Sequence, residues 1–265
     1  MASYRYRADI PARALSEIGF ETDVNQGEAD VVVFSKPMLD DLQMAHAAKK
    51  EGARVIVDLG DDHLNHPALG PLYRDMLGVA DLVVTPTKEM AERIYRVSGK
   101  VPEVIPDPYE QQERAPHAVG DRVLWFGHKS NLGDLKSLMP FLAKWDFHCV
   151  TGPEAGKYIE WSPETVDQEL WEANIVIIPT RKGAEYKSSN RLLNAVRAGC
   201  FVVAASHPAH DEFRKMLWVG NVKTGLDWVK AFPEDLNGLV EQAQAYVRET
   251  YSPSVVAARW AQVLQ

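Results

Sequence analysis

Short runs of branched apolar residues, each followed by a polar stretch with helical spacing, recur from one end of this chain to the other. In the first half they are "ADVVVFSKP", "ARVIVDLGD", "ADLVVTPT" and "PEVIPDP"; in the second they are "RVLWFGH", "DFHCVTG", "NIVIIPT" and "CFVVAAS". An apolar run without polar alternation fits a strand covered on both faces, and parallel strands joined by crossover helices supply that cover. The sequence therefore predicts an α/β fold. Helices are expected at "LDDLQMAHAAKKEG" and "TKEMAERIYRVSG", each closing with glycine, and in the second half at "LGDLKSLMPFLAKW", "ETVDQELWEA" and "SNRLLNAVRAG". The polar stretch "YEQQERAPHAVGD", with its proline and glycine, reads as a linker between two such halves. After them, "EDLNGLVEQAQAYVRETYSPSVVAARWAQVLQ" reads as two helices parted at "YSPS".

Composition narrows the class of protein. A chain of 265 residues, 46% of them hydrophobic, suffices for two small α/β domains. Its two cysteines, Cys149 and Cys200, lie in or beside apolar runs, which argues against a disulfide framework or a metal knuckle and suits a reducing cytoplasm. No apolar run is long enough to cross a membrane, and "MASYRYRADIP" lacks the apolar core of a signal peptide. A net charge of −8 argues against a nucleic-acid partner, because such proteins concentrate positive charge. A cytoplasmic protein with no transmembrane segment is expected.

Against this acidic background, local basic clusters stand out. In "EYKSSNRLLNAVRAG", Leu192, Leu193 and Val196 share a helix face, and Ser188, Ser189 or Asn190 is placed to cap its start. A helix N-terminus directly after a parallel strand presents unpaired N–H groups and the positive end of a dipole, and Lys187 and Arg191 flank this one. That combination suits phosphate, although plain capping with solvated cations would leave the same residues. The strand "RVLWFGH" runs into Gly127, His128, Lys129, Ser130 and Asn131, a second cationic, hydroxyl-rich loop, and "DFHCVTG" ends on Thr151 and Gly152. Open parallel sheets bind ligands at the carboxyl ends of their strands, so these loops should converge on an anion such as a nucleoside diphosphate. In the first half, "VIVDLGDDHLNHP" gathers Asp58, Asp61, Asp62, His63 and His66 after a strand. Carboxylates beside a histidine can hold sugar hydroxyls or act as base and orienting acid, or simply cap a helix. No metal site is expected from their spacing. Arg5, Arg7 and Arg13 in "SYRYRADIPARAL" are either ligand groups or ordinary surface arginines.

Taken together, these segments resemble the retaining glycosyltransferases of the GT-B fold, close to glycosyltransferase family 4. The stretch "ANIVIIPTRKGAEYKSSNRLLNAVRAGCFVVAAS" carries the resemblance most specifically; "VIVDLGDDH", "ADLVVTPTKEMAERI", "VPEVIPDPYE" and "YSPSVVAARWAQVL" extend it over nearly the whole chain. It implies two Rossmann-like domains facing across a cleft, with an acceptor-side domain at residues 1–115, a nucleotide-sugar domain at 116–250 and a closing helix at 251–265 that packs back toward the first. It implies a nucleotide-sugar donor, a carbohydrate or other hydroxyl acceptor, and no cofactor. Asp61, Asp62, His63 and Lys187 would be catalytic. Gly127, His128, Lys129, Ser130, Asn131, Thr151, Gly152, Tyr186, Ser188, Ser189, Asn190, Arg191 and Asn194 would bind the donor. Three departures accompany it. Tyr186 and Asn194 stand where relatives carry glutamates, "VIPD" replaces the usual "VIPN", and the chain opens almost directly on "YRYR". The first and the third leave a catalytically idle nucleotide-binding homologue as the alternative. The third implies an abbreviated N-terminal domain, its first strand missing or replaced by "ASYRYR", with a sheet edge that would invite homodimerisation. A two-domain binding protein of the periplasmic type is disfavoured by the lack of an export signal.

Overall fold

The computed structural model describes residues 4–24, 29–152, 158–180 and 184–265. Ala2 and Ser3 of "ASYRYR" lie outside these, as do Arg181, Lys182 and Gly183 of the stretch preceding Ala184. The chain divides into two compact units. Unit 1 comprises Met1–Glu110, Tyr186–Ser188 and Tyr251–Gln265, and unit 2 comprises Gln111–Glu185 and Ser189–Thr250.

In unit 1 the described start of the chain is helical, which decides against one of the two alternatives, that "ASYRYR" takes the place of the first strand. A π-helical turn, Arg5–Asp9, runs into α1 (Ile10–Glu17). There follow β1 (Val31–Ser35), α2 (Asp41–Lys50), β2 (Arg54–Asp58), α3 (Gly70–Val79), β3 (Leu82–Thr85), α4 (Lys88–Ser98) and β4 (Glu103–Val104). The strands form a parallel sheet in the order β1-β2-β3-β4, with Val31 opposite Arg54, Ile56 opposite Leu82 and Val84 opposite Glu103. Strand residues alternate faces, so the run "RVIVD" serves two cores. Val55 and Val57 pack with Phe34, Leu72, Met76, Met90 and Ile94 on one face, while Ile56 packs with Leu15, Val84 and Ile105 on the other. Val256, Ala257 and Trp260 of the C-terminal helix complete that second core. Helix α4 begins where the Thr87 hydroxyl accepts the Met90 N–H at 3.2 Å, and it buries Met90 and Ile94, four apart.

Unit 2 contains β5 (Arg122–Phe126), a 3₁₀ segment (Lys129–Leu135), α5 (Met139–Leu142), β6 (Asp146–Thr151), β7 (Ile159–Glu160), α6 (Pro163–Glu172) and β8 (Ile175–Ile178). It continues with α7 (Asn190–Arg197), β9 (Phe201–Ala204), β10 (Trp218–Val219), α8 (Val222–Ala231) and α9 (Leu236–Tyr251), and α10 (Pro253–Leu264) closes the chain in unit 1. The parallel sheet has the order β10-β9-β8-β5-β6-β7. Its strand order reverses at β5, which has β6 on one side and β8 on the other, so the ligand-binding crevice of such a sheet lies at the carboxyl end of β5. The helix expected over "LGDLKSLMPFLAKW" is broken into the 3₁₀ segment and the short α5, which begins at Met139–Pro140 because proline suits a first turn and not an interior. Helices α3 and α8 are additions to the sequence-based expectation.

No helix among the described residues is long and apolar enough to cross a membrane.

Candidate functional site

Two strand ends and the start of one helix of unit 2 lie at the reversal of its sheet. At the first, Gly127 follows β5 and donates its N–H to Val150 C=O at 3.1 Å. A Cβ there would sit 3.1 Å from the Trp125 ring and 3.4 Å from Arg191 Nη1, so glycine keeps the space through which Arg191 reaches the strand end. His128 and Ser130, expected to bind a donor, close the turn in this structure: His128 Nδ1 accepts the Ser130 N–H at 3.3 Å and lies 3.0 Å from the Ser130 hydroxyl. Asn131 N–H donates to His128 C=O at 2.9 Å, and Lys129 is exposed on the same turn. At the second end, Thr151 is fully buried, its Oγ1 lacks a partner among the described residues, and Gly152 follows half-buried.

The third end is α7. Ser189 holds the N-cap position, yet its hydroxyl donates to Ala209 C=O at 2.6 Å, and no side chain caps the helix. This corrects the capping expected of Ser188, Ser189 or Asn190, and it leaves the first-turn N–H groups of α7 without the side-chain acceptor such termini usually find. Asn190 Oδ1 is buried and unpartnered among the described residues.

Arg191 follows on the same turn. Its Nη1 donates to Phe126 C=O at 3.4 Å, and among the described residues no carboxylate forms an ion pair with it. Burial pulls its guanidinium down to about 10, and Asp134 offsets only part of that. A desolvated cation, unpartnered carbonyl and hydroxyl oxygens, and an uncapped helix N-terminus thus adjoin the strand ends where an open sheet takes its ligand.

Two site residues carry no flag in the sequence reading. His207 and His210 lie in the 3₁₀ turn after β9, their rings 4.8 Å apart and tilted. His207 Nε2 donates to Ala184 C=O at 2.7 Å while its Nδ1 accepts the Ala209 N–H at 3.2 Å, which fixes its tautomer and ties the turn to the start of the α7 loop. His210 Nδ1 lies 3.1 Å from Ala205 C=O and so carries the proton. Burial pulls its pKa down to about 4, and His207 and Arg191 act in the same direction. The ring is neutral at ordinary pH. The available signal was "SHPAH" directly after a strand, two histidines three apart around a proline.

The remaining expected donor residues have other duties. Asn194 is buried on α7, and its Oδ1 accepts the Gln111 N–H at 3.4 Å. Tyr186, Lys187 and Ser188 group with unit 1. Tyr186 packs on the unit 1 core and its C=O accepts the Thr87 hydroxyl at 3.3 Å, while Ser188 Oγ donates to Asp107 at 2.6 Å. Lys187 between them is exposed.

In unit 1 the acidic cluster divides. Asp58 is wholly buried and receives Arg7 Nη2 at 2.6 Å and Ser35 Oγ at 2.8 Å. Arg7 also pairs with Asp107 at 3.0 Å. Burial opposes the charge on Arg7, but the two carboxylates outweigh it and raise its pKa above the ordinary value. Arg7 is therefore neither a surface arginine nor a ligand group, and Asp58 is closed to a substrate. Asp62 accepts the Leu64 N–H at 3.1 Å and pairs with Arg93 at 3.1 Å, the turn-capping role that competes with acceptor binding. Asp61 pairs with Lys36 at 3.3 Å and stays partly open. His63 sits edge-on to Tyr73, 5.3 Å between ring centroids, and edge-on to His66 at 5.9 Å. Among the described residues no group of three or more His, Cys, Asp or Glu could hold a metal ion.

No protein-family profile matches the chain, and no curated protein matches it by sequence. Solved structures do match its fold. An α-glucosyltransferase in complex with UDP-glucose and DNA containing an abasic site aligns with a TM-score of 0.63 at 10% identity, covering 96% of this chain and 83% of that one. The apo structure of OtsA aligns at 0.62 and 11% identity over 98% of this chain and 77% of that one. A glycosyltransferase from Rickettsia africae aligns at 0.61 and 13% identity over 100% and 83%. At such identities the likeness is one of fold: two Rossmann-like α/β units of the GT-B kind.

Proposed function

We propose that this protein is a glycosyltransferase that binds a nucleotide-diphosphate sugar in unit 2 and transfers the sugar to an acceptor hydroxyl with retention, without an obligatory metal. The observation that carries this reading is Arg191, a desolvated guanidinium without a carboxylate partner among the described residues, set at the uncapped start of α7 beside the end of β5. Cleavage of a sugar–phosphate bond leaves negative charge on the diphosphate, and a preorganised donor aimed at such charge contributes about 2.7–4 kcal/mol to catalysis. Arg191 and the first N–H groups of α7 are those donors here. Thr151 Oγ1 and Asn190 Oδ1, without partners among the described residues, are the candidates to meet polar groups of the nucleotide. On the acceptor side, His63 and Asp61 are the candidate groups in unit 1, since Asp58 and Asp62 are engaged by arginines.

Titration calorimetry with UDP, GDP and ADP tests the site. At least one should bind, and Arg191→Ala should weaken it about tenfold or more, the loss of one charge-assisted hydrogen bond. The apo melting temperature should hold or rise, because a desolvated charge is removed. An unchanged affinity would overturn the donor assignment. A second reading, binding without turnover, is favoured by one observation: Tyr186 and Asn194, which stand where the resembled family carries glutamates, are held in packing and backbone contacts. Hydrolysis or transfer from the matching nucleotide sugar supports the first reading, and tight binding without either supports the second.

A further inference from the structure

The buried histidines in the turn after β9 do not employ their ring nitrogens equally. His207 uses both of its own, Nε2 on Ala184 C=O and Nδ1 on the Ala209 N–H. His210 uses one: Nδ1, which carries the proton because the Ala205 carbonyl beside it can only accept. Its Nε2 is then a bare lone pair on a residue only 4% exposed, and it has no hydrogen-bond partner among the described residues. The ring stays neutral, since burial, with His207 and Arg191 acting the same way, holds its pKa at about 4. A buried acceptor left in this state calls for a donor.

The backbone places the ring over the strand ends. Ala205 N–H donates to Ile178 C=O at 2.9 Å, and the N–H and C=O of one strand residue point to the same side, so Ala205 C=O faces the space beyond the end of β8. Ala204 C=O, one residue earlier, accepts the Gly220 N–H on the opposite side, as the alternation requires. His210 Nδ1 reaches into that space from the turn, and the bond from Ser189 Oγ to Ala209 C=O pins the same turn against the start of α7. Because β8 lies beside β5 in the sheet, the ring stands next to the strand end that Arg191 reaches.

We propose that His210 Nε2 accepts the hydrogen of a ligand hydroxyl in unit 2, which makes His210 a specificity residue for the sugar part of a nucleotide ligand. This rests on the nucleotide-diphosphate reading above. Ionised phosphate oxygens have no proton to donate, so a bare nitrogen near the phosphate-binding Arg191 is satisfied by a group that carries an O–H. Ribose and the transferred sugar are each joined directly to the diphosphate, and each offers such a group.

Titration calorimetry on the full chain tests this with UDP, GDP and ADP, their 2′-deoxy and 3′-deoxy forms, and UDP-glucose, GDP-mannose and ADP-glucose. Loss of the hydroxyl that Nε2 receives should weaken wild-type binding about fivefold, the effect of one neutral hydrogen bond. If the hydroxyl is the ribose's, a deoxy form shows the loss; if it is the transferred sugar's, the gain of a nucleotide sugar over its diphosphate shows it. His210→Asn keeps a donor at the Nδ1 position and has nothing at Nε2, so it should abolish that discrimination. His210→Gln, whose amide oxygen can accept at the Nε2 position, should retain it. A packing role alone would weaken every ligand alike and leave the ratios unchanged, which overturns the proposal, as do wild-type ratios near one in every arm. Binding that Arg191→Ala weakens but whose ratios ignore His210→Asn refutes this inference alone, whereas a panel in which no nucleotide binds overturns the donor-site reading with it. Should His210→Asn fail to fold by its melting curve, His210→Phe fills the space of the ring and removes the same acceptor.

Discussion

Arg7 is buried and Arg191 partly buried, with opposite consequences. Arg7 meets Asp58 and Asp107, and its charge is neutralised within the fold. Among the described residues Arg191 donates to a backbone carbonyl and forms no ion pair, so its charge remains for an anion to neutralise. Nothing in the spacing of "YRYR" or "SSNR" distinguishes the two cases, because burial is set by packing that brings Asp58, Asp107 and Trp260 from distant parts of the chain onto Arg7. His210 extends the same logic to pH. Its folded pKa is about 4 against an ordinary 6.5, so the unfolded chain takes up a proton that the folded chain refuses. The stability this neutral ring supports is complete above pH 6.5 and declines as pH falls toward 4. The loss is about 3 kcal/mol by linkage. His210→Gln should flatten the fall of melting temperature across that window relative to wild type, and parallel curves for the two proteins would refute the assignment.

At the scale of elements, what was legible depended on whether the local signal agreed with the final packing. The seven longer strands and helix α4 were readable because apolar runs, a Thr87 cap and the spacing of Met90 and Ile94 all point the same way. Helix α7 was readable as an element, but its N-terminal chemistry was not, because the Ser189 hydroxyl turns to Ala209, outside the helix. Helices α3 and α8 were obscured by glycine: "GPLYRDMLGV" has one at each end region, and "VKTGLDWVKA" has Gly225 in its middle. The reason for Gly225 is contact. A Cβ there would stand 2.4 Å from Trp218 Cδ1 and 2.6 Å from Val203 Cγ1, so the helix lies against β9 and β10 closer than any side chain allows. In an open helix Gly→Ala would stabilise by about 0.8–1.0 kcal/mol. Gly225→Ala should instead destabilise, by about 1–3 kcal/mol for overpacking, as read from denaturant unfolding. A stabilised variant would show that α8 has room to withdraw.

At the scale of the molecule, the two units differ in how their chain is assembled. Unit 2 draws almost entirely on one stretch between Gln111 and Thr250, whereas unit 1 needs both ends of the chain, its sheet from the first 110 residues and α10 from the last 15. The contribution of α10 is specific. Val256, Ala257 and Trp260 bury Ile56, Val84 and Ile105, Arg54 donates to Val263 C=O at 2.7 Å, and the Trp260 ring lies 5.6 Å from the Arg7 guanidinium. Without α10 that face of the four-stranded parallel sheet keeps only the cover that Ala14 and Leu15 of α1 supply, and parallel sheets need both faces covered. The sequence showed "YSPSVVAARWAQVL" as a helix; which sheet face it covers is a long-range fact that local spacing does not encode. A fragment of residues 1–110 should therefore lack a cooperative thermal transition by circular dichroism, and adding a peptide of residues 251–265 should restore part of it. In the whole chain Trp260→Ala should cost about 3–5 kcal/mol, the usual loss on truncating a large buried aromatic. That loss should fall on unit 1: hydrogen exchange should quicken in β2 and β3 while β5 and β8 keep their protection. Uniform loss across both sheets would mean that the units unfold as one, and a cooperative transition in the 1–110 fragment alone would mean that α10 only caps a sheet already able to stand.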